Sequence, residues 1–353
     1  MKTYSKPLVV LCASVVIGTS LPLVLFMINT RRSQEKNGFV RRFETKNFIL
    51  SVSMVLDLGF DGYYIAGNTN KNLFLSHREA PAHILMADID LRDTTHFNLK
   101  FQVSTKYPRF NAARLKVYID SPAIYMHEGP AGIVLRGSLI SDNFKVTAYD
   151  GFSFDDFYGI SKNSTLFKTL QLERSETKLT LKNRHKQVSP TFTFKRQVDG
   201  IFCCDGMLHI DRDREQIIHI FYYRNQIISL DTLLRERYVS KTIDTISKAQ
   251  IELVHINSGR ERTFGKPPTK VNRRSCVFGS KLYVNSSIKA DNESWDSFAN
   301  NSVIDVYTTE KGIYQYSFYI PKYQNRTLRY FQIVDQTVFA LYQNHLVTYR
   351  LKP

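Results

Sequence analysis

The stretch Met207–Thr245, MLHIDRDREQIIHIFYYRNQIISLDTLLRERYVSKTIDT, decides how the rest of the chain is read. A short apolar run, Met207–Ile210, meets a charged turn at Asp211–Glu215. A β-branched and aromatic run follows at Ile217–Tyr223, then an Arg224-Asn225 turn, a third run at Gln226–Leu230 and a more polar fourth at Arg237–Ile243. Four short strands joined by tight polar turns make an antiparallel meander, the unit of a propeller blade.

Outward from it the same unit recurs. Upstream, Tyr63–Gly67, Asn72–His77, His83–Asp90 and Thr95–Val103 form one group, and Leu115–Ile119, Ala123–Glu128, Gly132–Leu139 and Phe144–Asp150 a second. Their turns hold Asp120-Ser121-Pro122, Gly129-Pro130-Ala131 and Ser141-Asp142-Asn143. In such turns Gly permits positive φ, Pro presets φ, and Asp or Asn bonds its own backbone. Phe157–Ser161, Thr165–Leu172, Lys178–Asn183 and Thr191–Phe194 make a poorer third group, with a short helix as the alternative over Glu173–Leu179. Ile201–Cys204 reads as an extra strand before the central group. Gln250–Ile256 reads as another after it, ahead of an irregular basic loop at Asn257–Lys270.

The next group is Arg274–Phe278, Lys281–Ser286, Ser302–Thr309 and Tyr314–Ile320, interrupted by the polar excursion Ile288–Asn301. The last, Tyr330–Val334, Thr337–Tyr342 and His345–Leu351, has three strands, and a spare strand-like run lies at Phe48–Leu58. Pairing the spare with the last three leaves no sheet edge uncovered, the hazard closed β architectures avoid. The repeat of about 45–60 residues is near that of propeller arrays. The fold expected is all-β: a β-propeller of roughly six blades, with seven as the alternative. N- and C-terminal strands share one blade, and one N-terminal apolar helix precedes the ring.

Lys2 and Lys6 precede an uncharged apolar run from Pro7 to Asn29, closed by Arg31-Arg32. A helix of about 20 apolar residues spans a bilayer, whereas a cleaved signal has an apolar core of about 7–15. Cutting after Gly18-Thr19-Ser20 would leave Leu21–Ile28 as an apolar tail. Residues 1–30 are therefore read as a signal-anchor with a signal peptide as the alternative, 31–46 as a charged tether and 47–353 as the folded domain. Arg31, Arg32, Lys36, Arg41 and Arg42 favour a cytoplasmic domain by the positive-inside bias. A short basic segment before an apolar core favours export, and export is the reading taken.

The formal charge of +16 favours acidic partners, anionic lipid head groups and polysaccharides among them. The densest basic group, Arg260 to Arg274, holds Pro267-Pro268 and no run of aromatics, and no zinc-knuckle, RNA-recognition or helix-turn-helix pattern occurs. Nucleic acid is disfavoured. Outside the apolar run stand Cys203, Cys204 and Cys276, an odd number that allows one bridge among them. Cys203 and Cys276 each lie three residues before a glycine, Gly206 and Gly279, so a Cys203–Cys276 disulfide is a candidate. Buried free thiols and a strained Cys203-Cys204 redox pair are the alternatives.

No G-x-S-x-G, H-E-x-x-H, P-loop or G-x-G-x-x-G motif is present, and no cofactor or metal is implied. Asp211, Asp213 and Glu215 lack the glycine and final glutamate of a calcium loop and read as solvated turn charges. His209 and His219 flank that hairpin, without further ligands for a metal. Propellers bind ligands through loops at one mouth of the ring. That mouth would collect Arg78, Glu128, Tyr222, Arg224, Asn225 and Trp295 of the excursion, a cationic and aromatic surface for a sugar or an acidic ligand. Glu128 with a second carboxylate would instead suit glycoside hydrolysis if the two stood about 5–9 Å apart.

At FDGYYIAGNTNKNLFLSHREAPAHIL, QVDGIFCCDGMLHI, IIHIFYYRNQIISLDT and SVIDVYTTEKGIYQYSFYIP the chain resembles an uncharacterised family of exported Bacteroidetes proteins with a predicted propeller-like fold. A looser resemblance joins it to six-bladed TolB-like and NHL-like propellers. The resemblance implies an inner-membrane-anchored domain in the periplasm that binds or scaffolds a protein or envelope ligand, and it contributes no catalytic residues. The other function held open is a propeller hydrolase or lactonase using channel carboxylates, with or without a metal.

Overall fold

The structure, a computed structural model, describes residues 10–11, 13–20, 22–24, 36–44, 50–139, 141–149, 152–161, 163–183, 189–256 and 261–351. β1 (Val52–Asp57) is first in the chain and belongs to the last sheet. β2 (Tyr63–Asn68), β3 (Asn72–His77), β4 (His83–Asp88) and β5 (Thr94–Asn98) form the first meander. The second is β6 (Lys116–Asp120), β7 (Ala123–Glu128), β8 (Ile133–Ser138) and β9 (Ser141–Ala148). The third is β10 (Asp156–Gly159), β11 (Ser164–Gln171), β12 (Glu176–Asn183) and β13 (Thr191–Thr193). The fourth is β14 (Gly206–Asp211), β15 (Gln216–Phe221), β16 (Ile227–Asp231) and β17 (Glu236–Ser240).

A two-stranded ribbon, β18 (Leu253–Ile256) and β19 (Glu261–Phe264), precedes the fifth meander. That meander comprises β20 (Asn272–Phe278), β21 (Lys281–Ser286), β22 (Asn301–Thr308) and β23 (Tyr314–Pro321). A short helix, α1 (Trp295–Asn300), sits in the excursion between β21 and β22, its first turn capped by the Ser294 hydroxyl. β24 (Tyr330–Val334), β25 (Thr337–Tyr342) and β26 (His345–Arg350) complete the order β1-β26-β25-β24, with Val55 opposite Val347 and Asp57 opposite His345.

Burial explains the composition. β15, QIIHIF, is buried at every residue because both faces of its sheet are covered, and such strands carry apolar residues without alternation. β17, the last strand of the same meander, is mostly exposed and correspondingly polar. Six apolar clusters fill the gaps between neighbouring sheets. One joins Leu73, Leu75 and Leu85 of the first meander to Phe339, Leu341 and Leu346 of the last sheet. The first strands of the meanders lie innermost. β2 and β6 meet so closely at Gly67 and Ile119 that a Cβ on Gly67 would stand 2.1 Å from the Ile119 carbonyl oxygen.

Several expectations need correction. The expected strand Ile201–Cys204 is instead a turn of 3-10 helix over Phe202–Cys204, because the Asp199 carboxylate accepts from the backbone N–H groups of Ile201, Phe202 and Cys203. Residues 176–179 are strand rather than helix, the chain reversing at Ser175 with a φ of 50°. The basic loop contains β19, paired with β18. Asp211 is buried, accepting from Arg214 N and Gln216 Nε2.

Of the expected tether, residues 36–44 are bound into the fold. Asp291 accepts from the backbone N–H groups of Asn37 and Gly38, and the Arg41 guanidinium is buried between Asp305 and Glu293. Residues 13–20 are helical, but among the described residues no helix is long and apolar enough to cross a membrane. The remaining parts of the expected anchor and tether, and Phe48, lie outside the described residues. Among the described residues Cys203, Cys204 and Cys276 are buried free thiols, the reading weighed against the candidate Cys203–Cys276 bridge, which does not form. Cys203 packs between the third and fourth sheets and Cys276 between the fifth and the last.

Candidate functional site

Among the described residues, β2, β6, β10, β14, β20 and β24 each contribute to the lining of a cavity of about 610 Å3, with Tyr118, Tyr158, His209, Ser275, Tyr330 and Gln332 among its walls. Its lower end, where the innermost strands finish, is laced by Arg212 from the turn after β14. The guanidinium grips the Asp120 carboxylate with Nε and Nη2, and donates to the carbonyls of Gly159 and Ile160 at 2.9 and 3.1 Å. One side chain thereby ties together the ends of β6, β10 and β14. Tyr118 stands beside this fork, and burial, then the Asp120 charge, pushes its hydroxyl up to about 12.

The upper end, where the innermost strands begin, is charged. Lys168 on β11 has a side chain only 2% exposed. Its ammonium lies 2.7 Å from Asp205 and 3.4 Å from Asp155, and Lys116 lies 3.5 Å from Asp156. Burial alone would lower the Lys168 pKa, but the charges of Asp205, Asp156 and Asp155 override it and hold the group protonated. Burial raises the Asp156 carboxyl, opposed by Lys168 and Lys116 and reinforced by Asp155 and Asp205. The other side of the mouth is basic. The Lys270 ammonium sits 3.9 Å from the Tyr222 ring centroid, and the Arg274 guanidinium 4.4 Å from that of Tyr330. Arg78 donates to the Tyr330 hydroxyl at 2.6 Å, and Arg329 pairs with Asp61. Lys270 is lowered by burial and then by the Arg274 charge, as crowded cations are.

None of the six residues the sequence proposes lines the cavity; Arg78 reaches Tyr330 of its wall by a hydrogen bond, and Tyr222 stacks under Lys270. Glu128 is fully buried and accepts from Ala131 N within its own turn, 4.0 Å from Arg114. Arg224, 1% exposed, lies on the Phe221 ring at 3.6 Å and donates to Gln226 and to the carbonyls of Cys203 and Lys195. Asn225 donates to the Asp244 carbonyl. Trp295 lines a separate groove. Arg224 and Asn225 are polar because the buried corner between β15 and β16 needs donors for carbonyls that no strand pairs.

His209 and His219 do not converge. His209 bonds the Ser275 hydroxyl at 2.6 Å across to β20, whereas His219 is packed between Phe194 and Phe221. Among the described residues no group of three or more His, Cys, Asp or Glu is placed to hold a metal ion. Residues missed from sequence, Lys116, Asp155, Asp156, Asp205, Arg274 and Arg329, share one signal: a charge at or just before the first strand of a meander.

No protein-family model matches the chain, and no curated protein shows similarity to it. Solved structures do. A member of the DUF4221 family from Bacteroides vulgatus superposes with a TM-score of 0.50 at 11% identity, covering 86% of this chain and 97% of that one. A catalytically inactive virginiamycin B lyase from Staphylococcus aureus gives 0.45 at 14% identity, covering 85% and 99%. The Pan2 WD40 domain of Neurospora crassa gives 0.46 at 8% identity, covering 89% and 98%. The fold is a β-propeller fold, and at these identities the likeness speaks to architecture alone.

Proposed function

We propose that the chain is a six-bladed β-propeller, closed by β1 within the last blade, that acts as a binding module for an acidic ligand at the upper mouth of its cavity. The apolar cluster between the first meander and the last sheet supports the closed ring. The ligand reading is carried by the basic side of the mouth. Lys270, Arg274 and Arg78 gather there beside Tyr222 and Tyr330, with Arg329 paired to Asp61, while the carboxylates opposite are already held by Lys168 and Lys116. An acidic group entering on that side gains charge-assisted hydrogen bonds and an aromatic wall.

The test is a thermal-shift survey of the full chain in detergent with sugar acids, dicarboxylates and phosphate esters. A ligand of this mouth raises the Tm of the wild type and not of Arg274→Ala or Tyr222→Ala. A survey in which no anion stabilises the wild type, or in which both variants respond as it does, removes the reading. The short basic segment ahead of the N-terminal apolar run supports export, and with it a membrane-tethered envelope protein whose domain lies in the periplasm, against the positive-inside bias of the residues that follow the run. Protection of the domain from protease added to spheroplasts overturns that address.

A second reading rests on Asp156, whose carboxyl burial raises beside Asp155 and Asp205. An acid next to carboxylates is the division of roles that hydrolysis employs. It requires turnover of lactone or glycoside substrates that Asp156→Asn abolishes.

A further inference from the structure

The outer hairpin of the first meander, β4 and β5, carries two histidines whose rings meet. In its antiparallel register His83 stands opposite Asn98, and Leu85 opposite His96. Residues two apart on a strand share a face, so His83, His96 and Asn98 lie on one side of the hairpin. Leu85 of that side is buried in the cluster shared with the last sheet, whereas His83 is half-buried and His96 and Asn98 are exposed. Diagonal neighbours across a strand pair are within reach of long side chains. His83 Nε2 lies 3.0 Å from His96 Nδ1, with the ring centroids 5.2 Å apart. On its other side, His83 Nδ1 lies 3.2 Å from Asn98 Oδ1. A carbonyl oxygen only accepts, so His83 donates to it from Nδ1, and the neutral imidazole then presents a lone pair at Nε2. His96 donates to that lone pair from Nδ1.

We propose that His83 and His96 form a two-imidazole site for a divalent transition-metal ion of square-planar or octahedral preference, Cu2+ or Ni2+. Metal–nitrogen bonds of about 2.0–2.1 Å put neighbouring ligands roughly 2.8–3.0 Å apart in those geometries and roughly 3.3–3.4 Å apart in a tetrahedral one. The 3.0 Å between the two ring nitrogens matches the former. The ion replaces the shared proton, which moves to Nε2 of His96, and the rings turn to bring both lone pairs onto it. Asn98 fixes the tautomer and ring plane of His83, as the outer partner of a ligating histidine does. Water fills the remaining positions, since among the described residues no third His, Cys, Asp or Glu joins the pair. The site lies outside the cavity lining and does not rest on the acidic-ligand reading.

The test is calorimetric titration of the full chain in detergent with CuCl2, NiCl2 and ZnCl2. The wild type takes up one equivalent of Cu2+ more than the double variant His83→Gln/His96→Gln. The electron paramagnetic resonance spectrum of that equivalent shows two equatorial nitrogens. His96→Gln, a change at an exposed side chain, leaves one nitrogen and raises the Kd at least about tenfold, because the second ligand no longer binds intramolecularly. Asn98→Leu keeps the two-nitrogen spectrum and raises the Kd about tenfold. Ni2+ binds more tightly than Zn2+, as the ligand spacing requires. Equal copper uptake by the double variant, a one-nitrogen spectrum in the wild type, or tighter binding of Zn2+ than of Ni2+ overturns the assignment.

Discussion

Arg41 and Asp305, 264 positions apart, form a buried two-pronged ion pair, Nε to Oδ1 at 2.7 Å and Nη2 to Oδ2 at 3.0 Å. Glu293 completes the triad from the other side, and Ser317 donates to Asp305 at 2.6 Å. Removing one partner of such a pair leaves its neighbours charged and unpaired in the interior. Arg41→Ala is therefore expected to destabilise the fold by roughly 3–5 kcal/mol, read as a lower midpoint in urea. A free tether at this position would make the substitution silent.

Acid should weaken the fold through its histidines. Burial, the largest cause, lowers His127 to about 3 and His209 to about 4. The unfolded chain takes up these protons near pH 6.5. Above that pH both states are neutral and the stability is full. Between about pH 6.5 and 4 the unfolded state binds protons that the folded state refuses, so stability falls as pH falls. Unfolding free energy measured across this window should drop by a few kcal/mol, on the order of the depressed values. His127→Phe should flatten the slope, and an unchanged slope would assign the acid sensitivity to other groups.

Cys203 and Cys204 hold their sulfurs 3.8 Å apart, and the Cys203 thiol is lowered to about 6, chiefly by the hydrogen bond from Cys204 against the opposing effect of burial. A thiolate at neutral pH is nucleophilic, yet both residues are 0% exposed. Access therefore decides, and mass spectrometry after brief iodoacetamide treatment should find Cys203, Cys204 and Cys276 unmodified until denaturant is added. Rapid labelling of Cys203 in the native protein would instead revive its redox use.

Gly67 is fixed by contact between strands. Gly67→Ala drives a methyl group into the Ile119 carbonyl of β6, and a strand cannot retreat from one carbonyl without moving its whole sheet. A loss of more than about 2 kcal/mol is expected from urea unfolding, and a neutral result would mean that the innermost strands are loosely held.

The strands of the last sheet and of the Met207–Thr245 meander were readable because their signals are local. Alternation, continuous apolar runs and turn residues act within a few positions. The third meander was less so: its Glu173–Leu179 segment is mostly charged, with Thr177 its one β-branched residue, and the positive φ at Ser175 that makes the hairpin turn has no glycine to announce it. The candidate site was barely legible. Arg224 and Glu128 read as surface charges because no local feature distinguishes a solvated turn from a corner buried beneath its neighbours.

By itself the sequence determined that this chain is built of short antiparallel strands in repeating groups, since hydrophobic period and turn chemistry are set residue by residue. Only the tertiary structure decided which charges meet: Arg212 with Asp120, Lys168 with Asp205, Arg41 with Asp305. Those partners lie on different sheets or far apart in the chain, and an ion pair carries no periodicity. Its formation depends on where whole sheets come to rest once their apolar faces are buried.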